Sequence, residues 1–218
     1  MVVLHNKLRC SGELGFGVRA DTPYQSASAF HTVDQVDCLA RPDHSCIVVG
    51  LLHSRPIPVA LGNQGDCQIA STPSEFNRTG SVTAPVVGGN LSLLVDALNT
   101  PSEPDTDGKI LIVEEVDEYF YKLDRMLTQL RRTGKLKKLA GLVVGHMTDI
   151  KNSDLDFGET THDIINHAVR DYQYPVAFSF PSGHHEPNEA WVQGATATLE
   201  VSLNNVSLSY PNIYSANE

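Results

Sequence analysis

The chain has 218 residues, 41% of them hydrophobic, and 16 Lys and Arg against 26 Asp and Glu give a net charge of -10. That length supports one sizeable core, and the apolar fraction excludes a disordered chain. The acidity argues against a nucleic-acid or anionic-membrane partner, and no apolar run approaches the ~18 residues of a membrane span.

Residues 1–80 hold all four cysteines (Cys10, Cys38, Cys46, Cys67), with 7 acids against 6 bases, whereas residues 81–218 hold 19 acids against 10 bases. No two cysteines form a C-x-x-C pair, and residues 1–10 lack the apolar stretch of a secretory leader. Reduced thiols and a cytoplasmic location are therefore expected. Two apolar runs, 46–52 and 57–61, read as strands separated at Pro56. No helical period occurs before residue 90, so 1–80 is an unassigned segment and 81–218 is read as a separate domain.

From residue 85 the pattern sharpens. Residues 85–90 (PVVGGN) predict a strand ending in a glycine turn, and 91–98 a short helix that Asn90 can cap. After a polar turn at 100–108, residues 109–113 (KILIV) predict a buried strand. Val116, Phe120, Leu123, Leu127 and Leu130 recur at helical steps. Asp117 and Glu118 suit the first turn of that helix, Arg131 and Arg132 its last, and Gly134 its stop. A strand at 142–145, a helix at 159–171 and a strand at 175–180 follow. Beyond the loop at 181–188, strands are expected at 190–193, 196–203 and 206–210, the last two joined at Asn204-Asn205. The fold class is therefore α/β: a β-α-β-α-β parallel core over 109–180 with right-handed crossovers, then an antiparallel carboxyl-terminal extension.

Ligands of open parallel sheets bind beyond the carboxyl ends of the strands. Glu114 and Glu115, His146, and His184 and His185 fall at such ends. A carboxylate beside an imidazole can fix its tautomer and stabilise its charged form, making it a base for a hydroxyl or water. The same acids would also suit a helix dipole, and a histidine in a Gly/Pro loop can simply be solvated. Metal ligation is a further alternative, although adjacent histidines do not easily aim at one ion. The basic run 131–138 (RRTGKLKK) reads as a dipole-matched helix end, and Gly88-Gly89-Asn90 as an anion-binding turn.

Five ordered strings carry a resemblance: 87–94 (VGGNLSLL), 110–118 (ILIVEEVDE), 124–130 (DRMLTQL), 141–149 (GLVVGHMTD) and 183–188 (GHHEPN). Over about residues 84–210 the chain resembles the LD-carboxypeptidases, serine peptidases related to the microcin C immunity protease. The resemblance implies a Ser–Glu–His triad. In it Glu114 matches the catalytic glutamate, His184 the catalytic histidine of a G-H-x-x-x-N motif ending at Asn188, and Gly88, Gly89 and Asn90 a substrate-binding loop. It implies no cofactor, and a murein tetrapeptide or related peptide with an L–D bond as partner, cleaved to release a terminal D-amino acid. His146 stands where the family would have glycine or another small residue.

The family's nucleophile sits on a G-x-S-D elbow, expected near residues 10–30. Ser11, Ser26 and Ser28 occur there, but no G-x-S-D does. The expectation is a truncated member lacking its amino-terminal nucleophile domain, weakly active or inactive, with an uncovered apolar face that favours a homodimer. A noncatalytic peptide-binding module, and a metal-dependent hydrolase using Glu114, His146 and His184, are the alternatives.

Overall fold

A computed structural model describes residues 67–211 apart from Ala190. The runs at 46–52 and 57–61, and Ser11, Ser26 and Ser28, lie outside these residues. The order is β1 (Cys67–Ser71), β2 (Gly80–Asn90), α1 (Leu91–Asp96), β3 (Ile110–Val116), α2 (Phe120–Arg132), β4 (Gly141–Thr148), α3 (Thr161–Val169), β5 (Val176–Ala177), β6 (Thr196–Val201) and β7 (Val206–Tyr210). They build one seven-stranded mixed sheet in the order β1-β7-β6-β2-β3-β4-β5. Strands β2 to β5 run parallel, and β1, β7 and β6 are antiparallel. The parallel β-α-β-α-β core and antiparallel extension match the sequence reading. Among the described residues no helix is long and apolar enough to cross a membrane.

Strand β2 joins the two halves. Gly80–Pro85 pairs with β6, and Val86–Asn90 pairs with β3 along its other edge. Burial follows the change. It alternates in the first half and becomes continuous in the second, where both faces are covered.

Strand periodicity then divides the core. Leu111 and Val113 of β3, with Leu142 and Val144 of β4, face a layer made by α1 to α3. That layer supplies Leu91, Leu123, Leu127, Leu130, Ile164, Ile165 and Val169. Ile110, Ile112 and Val143 point the other way, to Phe180, Trp191, Leu199, Val206, Leu208 and Tyr210. Each such fully buried side chain contributes roughly 1.5–3 kcal/mol relative to exposure.

Several boundaries differ from expectation. Strand β1 was not legible, because among its residues 68–71 only Ile69 is well buried and pairing to β7 holds the strand. β3 continues through Val116, so α2 starts at Phe120 and has no acid in its first turn. Asp117 and Glu118 instead bridge to the segment after β4: Asp117 N–H donates to Thr148 O and Lys151 N–H to Glu118 O. The two acids therefore precede the helix rather than sit in it. β4 extends to Thr148, placing His146 inside the strand rather than at its end. Residues 191–193 form no strand, since Trp191 is drawn into the core. α3 is shorter than 159–171, bounded by a capping box between Thr160 and Asp163.

Gly88 and Gly89 lie within β2, opposite Ile112 and Val113, rather than in a turn. Gly88 has φ +147, and a Cβ there would sit 1.9 Å from the Ile112 carbonyl oxygen. We expect Gly88→Ala to cost about 3 kcal/mol or more, or to prevent folding, as read from the urea midpoint.

Candidate active site

The site begins with adjacent carboxylates near the end of β3. The ladder between β3 and β4 is irregular between Val113 and Glu115, and neighbouring strand residues point to opposite faces. Glu115 turns to the helical face. Its carboxylate accepts from Asn90 Nδ2 (2.8 Å), Ser92 N–H (2.8 Å) and Val116 N–H (3.0 Å). Asn90 also caps α1, its Oδ1 accepting from Leu93 N–H and the Ser92 hydroxyl. Asn90 and Glu115 thus lock the start of α1 to β3.

Glu114 faces the opposite side of the sheet and is 2% exposed. Its Oε2 lies 2.7 Å from Nδ1 of His184. A carboxylate only accepts, so the imidazole carries its proton on Nδ1, and Nε2 is left as the basic atom. The His184 side chain is 29% exposed. A buried orienter and a surface-reaching base are the arrangement that proton transfer to a bound substrate requires. Oε1 of Glu114 is buried and meets no donor among the described residues.

His184 reaches Glu114 because the chain after β5 crosses over β4. Phe180 N–H donates to Val144 O (3.0 Å) and His146 N–H to Ser182 O (2.7 Å). The crossing is tight: a Cβ on Gly145 would lie 2.3 Å from the Ser182 carbonyl oxygen. Side chains pin the loop further. Trp191 Nε1 donates to the Ser182 hydroxyl (3.0 Å), and Asn188 bonds both the N–H (3.1 Å) and the carbonyl (2.8 Å) of Gly183. Gly145 and Ser182 were missed as site-builders. The available signal was a glycine inside an apolar strand, which marks close backbone approach.

The predicted residues therefore separate. Glu114 and His184 come together. Gly88, Gly89 and Asn90 lie beside them in the ladder, with Asn90 opposite Glu114 in register. His146 sits at the irregularity of the β3–β4 ladder, its Cβ and that of Glu114 lying 3.0 and 3.2 Å from where a Cβ on Gly183 would stand, and its Nδ1 is buried with no partner among the described residues. No group of three His, Cys, Asp or Glu suited to a metal ion occurs among the described residues. Glu114, His146 and His184 thus do not converge as metal ligands.

A glutamate–histidine pair at the carboxyl edge of an α/β sheet has the geometry in which a carboxylate orients an imidazole. The sequence matches the LD-carboxypeptidase C-terminal domain over residues 83–199, and the chain belongs to that family. It is 39% identical over 124 residues to the probable murein peptide carboxypeptidase of Bacillus subtilis, covering 55% of this chain and 38% of that protein. It is 30% identical over 125 residues to the murein tetrapeptide carboxypeptidase of Pseudomonas aeruginosa, again covering 55% and 38%. Among solved structures it is similar to the muramoyltetrapeptide carboxypeptidase from Oxalobacter formigenes, with a TM-score of 0.63 and 29% identity over 70% of this chain and 52% of that one. The chain spans about two fifths of the length of the curated relatives it matches.

Two predictions follow from this geometry. Gly145→Ala should displace Ser182 and with it the histidine loop, costing about 1–3 kcal/mol in chemical denaturation and weakening the His184–Glu114 bond. The imidazole Nδ1–H resonance of His184 should shift or be lost in that variant.

The second concerns pH. Burial first, then the nearby rings of His185 and His184, hold His146 below the ordinary imidazole range, against an upward pull from Glu186. Unfolded His146 titrates near ~6.5, so below that pH the unfolded chain binds the extra proton. The contribution is complete above about pH 6.5 and is lost as pH falls toward the lower folded value. Thermal midpoints should therefore drop on acidification below pH ~6.5, and less steeply in His146→Asn.

Proposed function

We propose that this chain is an LD-carboxypeptidase-type peptidase of the cytoplasm, acting on a murein-derived peptide and releasing its terminal D-amino acid. Glu114 holds His184 with Nδ1 protonated. His184 Nε2 takes the proton of a serine hydroxyl as it attacks the scissile carbonyl, then returns that proton to the leaving amine. The acyl-enzyme is hydrolysed by water through the same base. The observation that carries this reading is the 2.7 Å bond between buried Glu114 and His184. Gly88, Gly89 and Asn90, at the neighbouring strand end, are assigned to the substrate-binding wall.

The serine that completes the triad falls outside residues 67–211 in this reading, and the chain contains no G-x-S-D elbow. Loss of a triad nucleophile costs on the order of 10⁶ in turnover. The 218-residue chain is therefore expected to bind the tetrapeptide while releasing little D-alanine. A peptide-binding role without turnover is the second reading, favoured by that same missing elbow.

The test is D-alanine release from a tetrapeptide ending in an L–D bond, with calorimetry for binding. Slow release with measurable binding is the expected result. Rapid release that His184→Ala abolishes and Glu114→Gln lowers about 10⁴-fold would instead assign a nucleophile to residues 1–66. Ser11→Ala, Ser26→Ala and Ser28→Ala would then locate it. Absence of both binding and release would remove the peptidase reading.

A further inference from the structure

One imidazole beside the Glu114–His184 pair takes no part in the proton transfers assigned to that pair. His146 lies in β4 at the irregularity of the β3–β4 ladder. Its N–H donates to the Ser182 carbonyl oxygen (2.7 Å), so β4 holds the crossing segment directly at this residue. A Cβ on Gly183 would stand 3.0 Å from the Cβ of His146 and 3.2 Å from both the Cβ and Oε2 of Glu114. Gly183 therefore runs against both side chains at once. The next two residues divide between them. His184 bonds Glu114, and the ring of His185 meets that of His146 edge to face at 5.7 Å. Nδ1 of His185 lies 2.6 Å from the Glu186 carbonyl oxygen, which ties that ring to its own backbone. The 183–186 segment is thus gripped twice, by a carboxylate from β3 and by an imidazole from β4.

The second grip suits a neutral His146. Its Nδ1 is buried and meets no partner among the described residues. A neutral ring accommodates this by carrying its proton on Nε2. A charged ring carries a proton on both nitrogens and so buries an unbonded N–H, a cost that opening the segment to water removes. The titratable and charged groups around His146 come from each neighbouring element. Glu114 stands on β3, and His184, His185 and Glu186 on the loop. His162 on α3 and Asp149 beyond β4 join them around a cavity of about 450 Å³ that His146 and His185 both line. Burial first, then His185, opposes a charge on His146; Glu186 favours it, and His184 opposes it less strongly.

We propose that His146 is a positioning residue for His184: as a neutral ring it clamps the 183–186 segment so that His184 stays on Glu114, and on taking a proton it releases that segment. Only a proton is exchanged, taken from water when the segment opens and returned when it closes. The inference rests on the peptidase reading for the work of His184 alone, since the clamp acts without substrate. Protonation of His184 itself would leave its Nδ1–H on Glu114 and would not open the segment. With the segment open, His146 takes its proton near the ordinary imidazole value of ~6.5. Opening should therefore be constant above that pH and rise by up to about tenfold for each unit below it, until the closed form is also protonated.

The experiment follows amide hydrogen exchange of the full chain by NMR, without substrate, from about pH 7.5 to about pH 5. Amides of His146, Gly183 and Glu189 report the crossing, because they donate to Ser182, Asn188 and Pro181; those of Ile112 and Val143 report the core. Protection at the crossing should fall about tenfold per pH unit below ~6.5, with the core amides unaffected. His146→Phe keeps a ring against His185 but takes no proton, so its crossing should stay closed and lose that pH dependence. His146→Ala removes the grip. It should lower crossing protection about tenfold at neutral pH and broaden the Nδ1–H resonance of His184. Melting curves establish that each variant folds, and His146→Asn supplies the pH test where His146→Phe does not. Protection that is flat with pH in the native chain would overturn the inference. So would a pH dependence that survives in the neutral variants, or a His146→Ala crossing as closed as the native one. Each of these outcomes leaves the peptidase reading standing, because that reading is decided by binding and cleavage of the tetrapeptide.

Discussion

The passage of the 181–184 segment across β4 at Gly145 is the constraint on which the site depends. His184 lies 70 residues beyond Glu114 in the chain. It reaches the carboxylate only because the crossing backbone lies almost against β4. A side chain at residue 145 would occupy the place of the Ser182 carbonyl oxygen. The close approach lets His146 and Ser182 bond through their backbones, so the loop behaves as a continuation of the sheet rather than as a free connection. Trp191 and Asn188 then hold Ser182 and Gly183, just before the histidine, with side-chain bonds, leaving the imidazole little freedom to leave its partner. Such preorganisation is what an acid–base pair needs, because misplacement by a single ångström costs rate.

The alternation of strand side chains gives the neighbouring acids different work. Glu114 and Glu115 are both 2% exposed, yet only Glu114 meets a titratable partner. Glu115 is satisfied by three N–H donors and serves as an anchor between β3 and α1. It also fixes Asn90, whose strand-register partner is Glu114. The glycines before Asn90 allow β2 and β3 to approach closely: a Cβ added to Gly88 would stand 1.9 Å from the Ile112 carbonyl oxygen. Anchor and orienter thus form one assembly, built on the junction where β2 changes from antiparallel to parallel pairing. The irregularity of the ladder interrupts that alternation at His146, whose Cβ stays close to Gly183 beside Glu114.

Much of this was legible beforehand. The apolar runs at 109–113 and 142–145 and the stepped leucines of α2 reported a parallel core, because strands covered on both faces and amphipathic helices leave strong periodic signals. Glu114 and His184 were legible as a pair through motif resemblance and through the rule that chemistry gathers at carboxyl strand ends. The limits of elements were less so. Asp117 and Glu118 resembled a helix start, but backbone pairing to the segment after β4 offered bonds that a helical turn could not match. β1 has too little apolar surface to announce itself, and exists because β7 completes its hydrogen bonds.

By itself, the sequence determined the class of fold and the family and singled out Glu114 and His184, since each is written in local periodicity or short motifs. Only the tertiary structure decided that Glu115 turns to the start of α1 as an anchor, and that Gly145 is a crossing point. It also decided that His146 and His185 share a cavity while His184 does not. Those outcomes depend on strand register and on which face each side chain takes. A one-residue change in register reverses every face, and register is settled by pairing between segments far apart in the chain.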